Sequence, residues 1–522
     1  MNNANPTGSG VDILLGHSYF LKFDAKQQQK MRPYTPLATI HLAQYLREAG
    51  YSVALFDAML ADGEEAFAAA LEEHDPKVVV LYEDNFNWLS KMCLRRMREA
   101  ACTMAKMSRE KGATVIVSGS DVTDHPEVYL SSGAQYAIYG EGDHTVRELV
   151  DWLRETPDRT VRPEHIDGLV LPAAHGADGV IRTAKRANER KPDIFGMPAR
   201  DLLDIDAYRQ AWTDKHGYFS LNMVSTRGCP FHCNWCAKPI WGQRYAMRSA
   251  AQVAQEMAHV KETYNPDHLW FADDIFGLRA SWVEDFGREV AALDAAIPFM
   301  IQSRADLMNE QSVAGLATAG CVEVWLGAES GSQKILDAMD KGTTLDEIAT
   351  ARQLLADAGI RAAFFIQLGY PGETWDDLMA TVDMIREQLP DDMGVSVSYP
   401  LPGTRFHDMV QAQLGDKRNW DESGDLEMMF SGTWETPFYR HLHKLLHDDL
   451  DLHRRKAGLA PTQHLLLIDS DRMPTLDEHQ ERVSAGWAEL EELKVKHRSR
   501  RATLIVRSEP MPERPDLSES FN

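Results

Sequence analysis

Between residues 218 and 400 the chain alternates strand-sized apolar runs with amphipathic helical stretches in an almost regular series. The helical stretches carry start signals, and Thr344 followed by Glu347 has the spacing of a capping box. Strands that alternate with helices form parallel sheets covered by those helices. Six βα units are too few to close an eight-stranded barrel, so the series predicts an open, partial barrel. The six apolar runs are YFSLNMVST (218–226), HLWFADDI (268–275), PFMIQSR (298–304), VEVWLGAES (322–330), RAAFFIQLG (361–369) and GVSVSYP (394–400).

The first 155 residues contain another series of the same kind. Its apolar strands are almost continuous and are separated by helical stretches, which predicts a parallel sheet covered on both faces. Ligands of such open sheets bind beyond the carboxyl ends of the strands. Two glycine-containing turns fall at those ends, although ordinary turn glycines would give the same pattern. The candidate ligand-binding residues in these turns are Gly119, Ser120, Gly140, Glu141 and Gly142.

A chain of 522 residues exceeds the size of one ordinary domain. We expect an α/β domain at 1–155, a polar and proline-rich linker at 156–215, the partial barrel at 216–405 and a mainly helical C-terminal region at 406–522. The linker contains a hairpin-like stretch at 167–183. The C-terminal region is expected to end in a disordered tail and to shape the substrate pocket.

The composition is that of a globular protein, with 44% hydrophobic and 26% charged residues. Because 79 acidic side chains outnumber 55 basic ones, the formal net charge of −24 argues against nucleic acid as a general partner. The longest apolar runs are strand-sized, so no membrane-spanning segment is predicted. The polar N-terminus does not resemble a secretory signal. We therefore expect a cytoplasmic protein with neither a membrane nor a nucleic-acid partner.

Three of the six cysteines lie within eight residues, in the stretch RGCPFHCNWC (227–236). Cys229, Cys233 and Cys236 have the spacing C-x3-C-x2-C. Structural zinc uses four ligands, usually from two C-x2-C knuckles, and no second knuckle follows; His232 adjoins Cys233 too closely to complete the set. An iron–sulphur cluster normally takes four thiolates, so three thiolates leave one iron with open coordination positions, as a catalytic site requires. The spacing therefore favours a cluster over zinc.

The other cysteines lie in apolar helical or strand-like contexts, and we expect them to be buried thiols. They are Cys93, Cys102 and Cys321. A second metal hypothesis arises from a histidine-rich helix at 439–455, because His443 and His447 share one helical face. No glutamate of the H-E-x-x-H kind lies between these two residues, so we expect ordinary surface histidines.

The cysteine motif, with an aromatic residue before its last cysteine, resembles that of the radical S-adenosylmethionine (SAM) superfamily. The resemblance covers residues 218–405 and includes further motifs. Members are partial αβ barrels with the cluster loop directly after the first strand. The resemblance implies a 4Fe-4S cluster whose unique iron is chelated by SAM. An electron from the cluster cleaves SAM to a 5′-deoxyadenosyl radical, which abstracts hydrogen from the substrate.

This resemblance assigns roles to residues at the ends of the first three barrel strands. The three cysteines would hold the cluster, and Trp235 would pack near the adenine of SAM. Asp273 and Asp274 would accept hydrogen bonds from the SAM amino group. Arg304 would pair with the SAM carboxylate as a fork-shaped donor. Structural or surface ion pairs remain the alternative for these last three residues.

Two later strand ends match further motifs of the superfamily. Glu329, in GAESGS (327–332), corresponds to the acidic residue that binds a ribose hydroxyl, and Ser330 follows it. Gly369 and Pro371, in the segment LGYPG, would supply apolar and backbone contacts to adenine. We expect all four residues to contribute to SAM binding.

The domain ahead of the barrel resembles the cobalamin-binding subfamily over residues 11–150. The resemblance implies a flavodoxin-like, Rossmann-type sheet that binds the cobalamin tail at its carboxyl edge, where the two glycine-containing turns fall. Many such domains supply an axial histidine through D-x-H-x-x-G. Here the first strand runs into GHSYFLKF (16–23), in which His17 lacks the aspartate and the glycine. Cobalamin bound without a protein imidazole is the expectation, and a vestigial domain is the alternative.

The two resemblances together imply a cobalamin-dependent radical SAM enzyme. Methylation of an unactivated carbon or phosphorus centre of a small molecule is the leading hypothesis. Relatives with this architecture also catalyse oxidative cyclisation or ring rearrangement, and a non-catalytic metal- or cobalamin-binding protein is a third hypothesis. A cellular electron donor such as flavodoxin or ferredoxin is the expected partner.

Overall fold

A computed structural model of the chain describes residues 10–83, 95–158, 160–173, 179–415, 426–462 and 473–499. The chain divides into two compact units. The first unit comprises Met1–Cys229 and Lys238–Asp274, and the second comprises Pro230–Ala237 and Ile275–Asn522. The division falls within the second αβ series, so each unit contains part of that series.

The first unit contains a seven-stranded sheet. Its strands are β1 (Ile13–Gly16), β2 (Val53–Phe56), β3 (Val78–Tyr82), β4 (Thr114–Ser118), β5 (Tyr136–Ile138), β6 (Leu169–Pro172) and β7 (Val180–Arg182). The order β2-β1-β3-β4-β5 is parallel throughout and is that of a flavodoxin-like sheet, so this prediction is confirmed. The hairpin-like stretch of the linker forms β6 and β7, which extend the same sheet in antiparallel fashion.

Helices flank the strands of this sheet because the strands are apolar on both faces; β3, for example, is buried at all five positions. Short 3-10 turns lie at Leu21–Phe23, Pro192–Phe195 and Arg200–Leu202. The helices of the first unit are α1 (Ala25–Lys30), α2 (Leu37–Glu48), α3 (Glu64–His74), α4 (Arg95–Glu110), α5 (Ser120–Asp124), α6 (Pro126–Ser131), α7 (Asp143–Glu155), α8 (Ile205–His216) and α9 (Ala250–Tyr264).

Four more strands of the first unit lie before and after the three cysteines in the sequence. β8 (Ser220–Met223) pairs in parallel with β11 (His268–Phe271), as expected of the first two barrel strands. β9 (Thr226–Arg227) pairs with β10 (Ala246–Met247) in antiparallel fashion. Residues 228–245, which we call the cysteine loop, are therefore closed at their base by a short ladder.

The second unit contains the remaining barrel strands, β12 (Phe299–Ser303), β13 (Cys321–Glu329), β14 (Arg361–Leu368) and β15 (Asp392–Val397). They are parallel and lie in sequence order. The predicted capping box at Thr344 is confirmed. Its 3-10 turns are Ala305–Leu307 and Gln411–Gln413, and its helices are α10 (Ala280–Ala292), α11 (Glu310–Ala319), α12 (Gln333–Ala338), α13 (Leu345–Asp357), α14 (Trp375–Gln388), α15 (Arg405–Val410), α16 (Thr436–Lys456) and α17 (Leu476–Lys496).

Two expectations about side-chain burial need correction. In α16, the His443 and His447 rings lie 4.9 Å apart, and His447 is only 5% exposed, because its helical face packs inward. Cys321 is buried as expected, whereas Cys102 on α4 is partly exposed. Cys93 lies outside the described residues.

None of the helices in the described part of the chain is long and apolar enough to cross a membrane.

A buried cluster of charges in the first unit fixes the strand that leads to the cysteine loop. Arg200 Nη1 lies 2.6 Å from Glu256 Oε1, and Arg248 Nη1 lies 2.6 Å from Glu256 Oε2. Arg200 also donates to the backbone oxygen of Asn222 at 2.9 Å, and Arg248 donates to that of Val224 at 2.9 Å. One carboxylate thus orients two guanidinium groups, which in turn hold β8 and the residues that follow it.

Replacing Glu256 by glutamine is expected to lower the free energy of unfolding by about 3–5 kcal/mol, because two buried cations would lose their counter-charge. Burial alone would raise the pKa of Glu256, but Arg248 and Arg200 hold it at about 2, against an ordinary value of 4.5. The stability from this cluster is therefore complete above pH 4.5 and lost as the pH falls towards 2. Denaturant titration at several pH values measures both effects. The exposed helical pair of Asp285 and Arg288 provides the control, Asp285→Asn, for which little change is expected; equal losses in both variants would contradict this account.

Candidate functional site

The cysteine loop presents three thiols without regular secondary structure around them. Cys229, Cys233 and Cys236 form no disulfide within the described part of the chain, and each is partly exposed. His232, between the first two cysteines, is exposed. In the described part of the chain, no group of three or more His, Cys, Asp or Glu side chains is arranged to hold a single metal ion.

Gly228, directly before the first cysteine, turns the chain sharply into the loop. Its φ angle is +78°, a left-handed value that glycine adopts without strain. A Cβ atom at this position would lie 2.4 Å from the backbone oxygen of Arg244. The entrance of the loop therefore depends on a residue without a side chain.

Asn234 anchors the middle of the loop within the second unit. Its backbone N–H donates to the Met339 oxygen at 3.0 Å. Its side-chain amide donates to the Ala338 oxygen at 2.7 Å and to Asp340 Oδ2 at 3.0 Å. Its side-chain oxygen accepts from the Tyr370 hydroxyl at 2.9 Å. The residue between Cys233 and Trp235 is thus tied to the end of α12 and to the turn after β14.

Asp273, predicted as a SAM contact, is used within the first unit to hold the start of the loop. Its carboxylate accepts the N–H and hydroxyl groups of both Ser225 and Thr226, at 2.7–2.9 Å. Burial raises the pKa of Asp273 to about 6, although these four hydrogen bonds favour its ionised form. Asp274 is more accessible than Asp273, and burial raises the pKa of its carboxyl to about 6 as well.

Arg304 directly follows β12 and is buried in the second unit, which also contains residues Pro230–Ala237 of the cysteine loop. Its Nε and Nη2 atoms donate to Asp306 at 2.9 and 3.1 Å, in a two-pronged ion pair. Its Nη1 atom donates to Cys233 Sγ at 3.8 Å. The guanidinium carbon lies 3.7 Å from the ring centroid of Phe231. Arg304 therefore contacts Cys233, the second cysteine of the motif, directly.

Glu329 ends β13 in a strained conformation and has a buried cationic partner. Its φ angle is +61°, which is uncommon for a residue with a side chain. Lys341 Nζ donates to Glu329 Oε1 at 2.7 Å, and both side chains are 6% exposed. Gly327 leaves room for this pair, because a Cβ there would lie 2.5 Å from Lys341 Nζ. Ser330 is buried, and its hydroxyl lies 3.1 Å from Thr381 Oγ1, so it connects the turn after β13 to α14.

The predicted adenine-binding segment forms a tight turn after β14. The Gly369 N–H donates to Glu373 Oε2 at 2.9 Å, and Pro371 is buried. Burial raises the pKa of Glu373 to about 8. In the cysteine loop, the buried indole N–H of Trp235 has no hydrogen-bond partner among the described residues.

At the carboxyl edge of the first sheet, buried polar side chains bridge the strand ends. Ser18 donates its N–H and hydroxyl groups to Glu83 Oε1 at 3.0 and 2.7 Å. Gly119 packs on this pair, since a Cβ there would lie 2.8 Å from Glu83 Cβ, and Ser120 is buried beside it. The hydroxyl of Ser118, at the end of β4, is buried with no partner among the described residues.

The turn after β5 contains Glu141 and is joined to the cysteine loop by a buried arginine of the same unit. Arg227 Nη1 lies 2.5 Å from Glu141 Oε1 and 2.8 Å from Asp143 Oδ2. Burial raises the pKa of Glu141, whereas Arg227 outweighs burial and lowers that of Asp143. The Gly140 N–H donates to Thr123 Oγ1 at 3.2 Å. In the same turn, a Cβ on Gly142 would lie 2.9 Å from Ser118 Oγ, so glycine leaves room for that buried hydroxyl.

The donor chemistry of these residues fits the predicted cofactors. Three partly exposed thiols on one loop suit a cluster with a fourth, open iron. The unpaired indole N–H of Trp235 suits a bound polar group nearby. The unpaired Ser118 hydroxyl likewise suits a ligand at the carboxyl edge of the first sheet. His17, which lies near the end of the first strand but lacks the axial-histidine motif, is buried, and its Nε2 atom lies 2.9 Å from Asp57 Oδ1.

Two family models match the chain. Residues 223–385 match the Radical SAM superfamily, and residues 33–150 match the B12 binding domain. Both matches lie within the stretches for which these resemblances were predicted. The two motif-based predictions of family are therefore confirmed.

Two curated relatives are about a quarter identical to this chain over the aligned residues. An uncharacterised methyltransferase of Pyrococcus horikoshii is 26% identical over 382 residues, which are 71% of this chain and 77% of that protein. The anaerobic magnesium-protoporphyrin IX monomethyl ester cyclase of Rubrivivax gelatinosus is 26% identical over 399 residues, which are 73% of this chain and 66% of that protein. The sequence relatives thus include both a methyltransferase and a cyclase.

Solved structures with a similar fold include two proteins that bind cobalamin. The radical SAM methyltransferase TsrM of Kitasatospora setae, solved with cobalamin and a [4Fe-4S] cluster, has a TM-score of 0.65 at 17% identity, over 93% of this chain and 100% of that chain. The cobalamin-dependent radical SAM enzyme OxsB, solved with aqua-cobalamin, has a TM-score of 0.66 at 16% identity, over 93% and 80%. These likenesses confirm the predicted fold, a flavodoxin-like sheet followed by a partial barrel.

Several residues that hold the site have no motif that identifies them in the sequence. They are Ser118, Arg227, Asn234, Asp306 and Lys341. Asn234 and Arg227 lie within or beside the cysteine motif, and that proximity is the one sequence signal they carry. The others become apparent only from the contacts of their side chains.

Replacing Gly228 by alanine is expected to displace the start of the cysteine loop and to reduce bound iron severalfold. The alanine combines a left-handed φ angle, costing about 1 kcal/mol, with a collision with the Arg244 backbone. Gly242→Ala is the matched control, because its φ angle is +63° and nothing lies within 4 Å of the added Cβ. Iron content after anaerobic reconstitution is the measurement. Equal iron retention in the two variants would show that the close approach at Gly228 is unimportant.

Proposed function

Because the chain carries a radical SAM domain behind a B12-binding domain, we propose that it is a cobalamin-dependent radical SAM methyltransferase. Its substrate is a small molecule with an unactivated carbon or phosphorus centre. The observation that carries the proposal is the cysteine loop, whose three thiols are partly exposed while the surrounding backbone is anchored by buried groups.

Cys229, Cys233 and Cys236 hold the 4Fe-4S cluster in this proposal. Three thiolates leave the fourth iron for the amino and carboxylate groups of SAM, following the resemblance. Thiols must stay reduced to bind iron, so we propose the cytoplasm as the compartment.

The residues that bind SAM follow the same resemblance. Trp235 packs against the adenine, and its indole N–H donates to a polar group of the ligand. Glu329 accepts from a ribose hydroxyl in this proposal, and Lys341 holds one of its carboxylate oxygens. Asp274, which is exposed, is the better placed of the two neighbouring carboxylates to accept from the SAM amino group. Gly369 and Pro371 form the backbone turn beside the adenine.

Cobalamin lies at the carboxyl edge of the first sheet in this proposal. The turns that contain Gly119, Ser120 and Gly140–Gly142 line this edge, and the unpaired Ser118 hydroxyl is a hydrogen-bond donor for the cobalamin tail. Glu141 acts indirectly, because Arg227 engages its carboxylate. Arg227 is two residues from Cys229, so one buried ion pair of the first unit orients both cofactor-binding segments.

The cofactors supply the radical and methyl-transfer chemistry when bound: each methylation consumes two SAM molecules and two electrons and yields S-adenosylhomocysteine, methionine, 5′-deoxyadenosine and the methylated product. The chain's own residues bind, orient and exclude water. The electrons require a low-potential donor, for which flavodoxin or ferredoxin is the proposed partner.

Oxidative cyclisation or rearrangement is the second candidate function. The similarity to the anaerobic cyclase of Rubrivivax gelatinosus supports it, because that cyclase is as identical to this chain as the methyltransferase relative is, at 26%, and aligns with a similar share of this chain. Both reactions use the radical chemistry of the cysteine loop, and they differ in the fate of the SAM methyl group.

Replacing Cys233 by alanine is expected to reduce the iron content from about four atoms per chain to near zero and to abolish formation of 5′-deoxyadenosine. The variant removes one of only three thiolates available to the cluster. Cys102→Ala, on α4, is the control and should retain both properties. Iron and sulphide analysis of anaerobically reconstituted protein, followed by reduction with SAM, provides the readouts. Stoichiometric zinc in the wild type would refute the proposal.

Methyl transfer can be separated from cyclisation without knowing the substrate. Reduced, cobalamin-loaded protein is incubated with SAM carrying a deuterated methyl group, and the extracted cobalamin is analysed by mass spectrometry. A methyltransferase is expected to place the label on the extracted cobalamin and to release S-adenosylhomocysteine. Formation of 5′-deoxyadenosine without either product would favour the cyclase.

A further inference from the structure

We propose that Arg304 is a positioning residue for the cluster, and that it raises the reduction potential of the cluster by donating a hydrogen bond to the Cys233 sulphur. This inference rests on the proposed function, since it presumes that Cys233 binds iron. It assigns Arg304 a role different from the SAM carboxylate contact that the resemblance implies. In this inference Arg304 donates to the thiolate of Cys233, which binds the cluster, and not to a group of SAM.

The position of the guanidinium group is determined on three sides. Asp306 receives Nε and Nη2 in a two-pronged pair, at 2.9 and 3.1 Å. The ring of Phe231 covers one face, 3.7 Å from the guanidinium carbon. The third nitrogen, Nη1, donates to Cys233 Sγ at 3.8 Å. Both charged side chains of the ion pair are only 6% exposed, so water does not screen this arrangement strongly.

The ion pair with Asp306 explains why Arg304 directs Nη1 towards the Cys233 sulphur. A guanidinium is planar and rigid, so a carboxylate that engages the edge formed by Nε and Nη2 sets the direction of Nη1. Arg304 lies at the N-terminal end of the 3-10 turn Ala305–Leu307, which contains Asp306 and keeps the two side chains close. The Nε and Nη2 edge, one of the two edges of a guanidinium that can recognise a carboxylate, is therefore already paired with Asp306.

Donation to a ligating sulphur affects the electronic state of a cluster. Hydrogen bonds to the sulphurs, net charge and solvent exposure set the reduction potentials of iron–sulphur clusters. A donor stabilises the reduced form, because that form places more negative charge on the sulphur. Arg304 paired with Asp306 thus supplies a fixed donor with little net charge.

The two residues of this pair are expected to shift the potential in opposite directions when they are changed. Arg304→Gln removes the charged guanidinium donor and leaves the Asp306 charge uncompensated, so the midpoint potential becomes more negative. Asp306→Asn keeps Arg304 and removes the compensating negative charge, so the midpoint potential becomes more positive. A general loosening of the loop would not produce opposite signs. Arg304→Lys keeps a positive charge without the rigid fork and is expected to fall between Arg304→Gln and the wild type.

The test is a redox titration of the reconstituted full-length protein in the absence of SAM, monitored by electron paramagnetic resonance. Arg288→Gln, which removes an exposed arginine of α10, is the control and should titrate like the wild type. Opposite shifts in Arg304→Gln and Asp306→Asn support the inference. Unchanged midpoints overturn it, as does a severalfold loss of SAM affinity in Arg304→Gln with an unchanged midpoint, because that result assigns Arg304 to the SAM carboxylate.

Two outcomes separate this inference from the proposed function. A wild type that assembles no iron–sulphur cluster overturns both. A wild type with a cluster whose potential responds to neither residue overturns only the role of Arg304. If Arg304→Gln fails to retain iron, the sign of the shift in Asp306→Asn still decides: a positive shift supports the inference, and no shift or a negative one overturns it.

Discussion

Three thiolates can share one cluster only if the loop that carries them keeps a single shape, and buried hydrogen bonds provide that shape. In the first unit, Asp273 accepts four hydrogen bonds from Ser225 and Thr226, just before the loop begins. In the second unit, Asn234 satisfies its amide with the backbone of Ala338 and the Tyr370 hydroxyl. Such groups have no water to replace a lost partner, so each contact costs more to break than a surface contact would. The buried hydrogen bonds are made by neighbouring residues, and the cysteines themselves remain partly exposed.

Buried ion pairs extend the same constraint to the strand ends. Glu329 is held by Lys341, and Arg304 is held by Asp306. Buried pairs of this kind add little net stability, but removing one partner leaves an uncompensated charge, so they define a geometry strongly. A site that is arranged before its ligands bind does not need to reorganise during the reaction. The strain at Glu329, whose φ angle is +61°, is consistent with a residue held for its function.

The strands and the cysteine motif could be predicted from the sequence because each has a local signal. The run VVVLY is buried at every position of β3, as continuous apolar strands of parallel sheets are. Side-chain partners have no such signal. Asn234 and Tyr370 are 136 residues apart, and no periodicity relates them. The pattern marked Asp273 as a residue at a strand end, but only its four contacts reveal that it supports the loop. The exposure of Cys102 and the burial of His447 depend likewise on which helical face a neighbouring element covers.

The central claim is that the cysteine loop leaves one iron of a cluster for SAM. Electron paramagnetic resonance of the reduced, reconstituted protein before and after addition of SAM tests this claim most directly. The account predicts a 4Fe-4S signal in the absence of SAM whose g values change when SAM is added, because SAM binds the cluster iron that no cysteine ligates. A cluster signal that SAM leaves unchanged at saturating concentration, or the absence of any cluster signal, would contradict it.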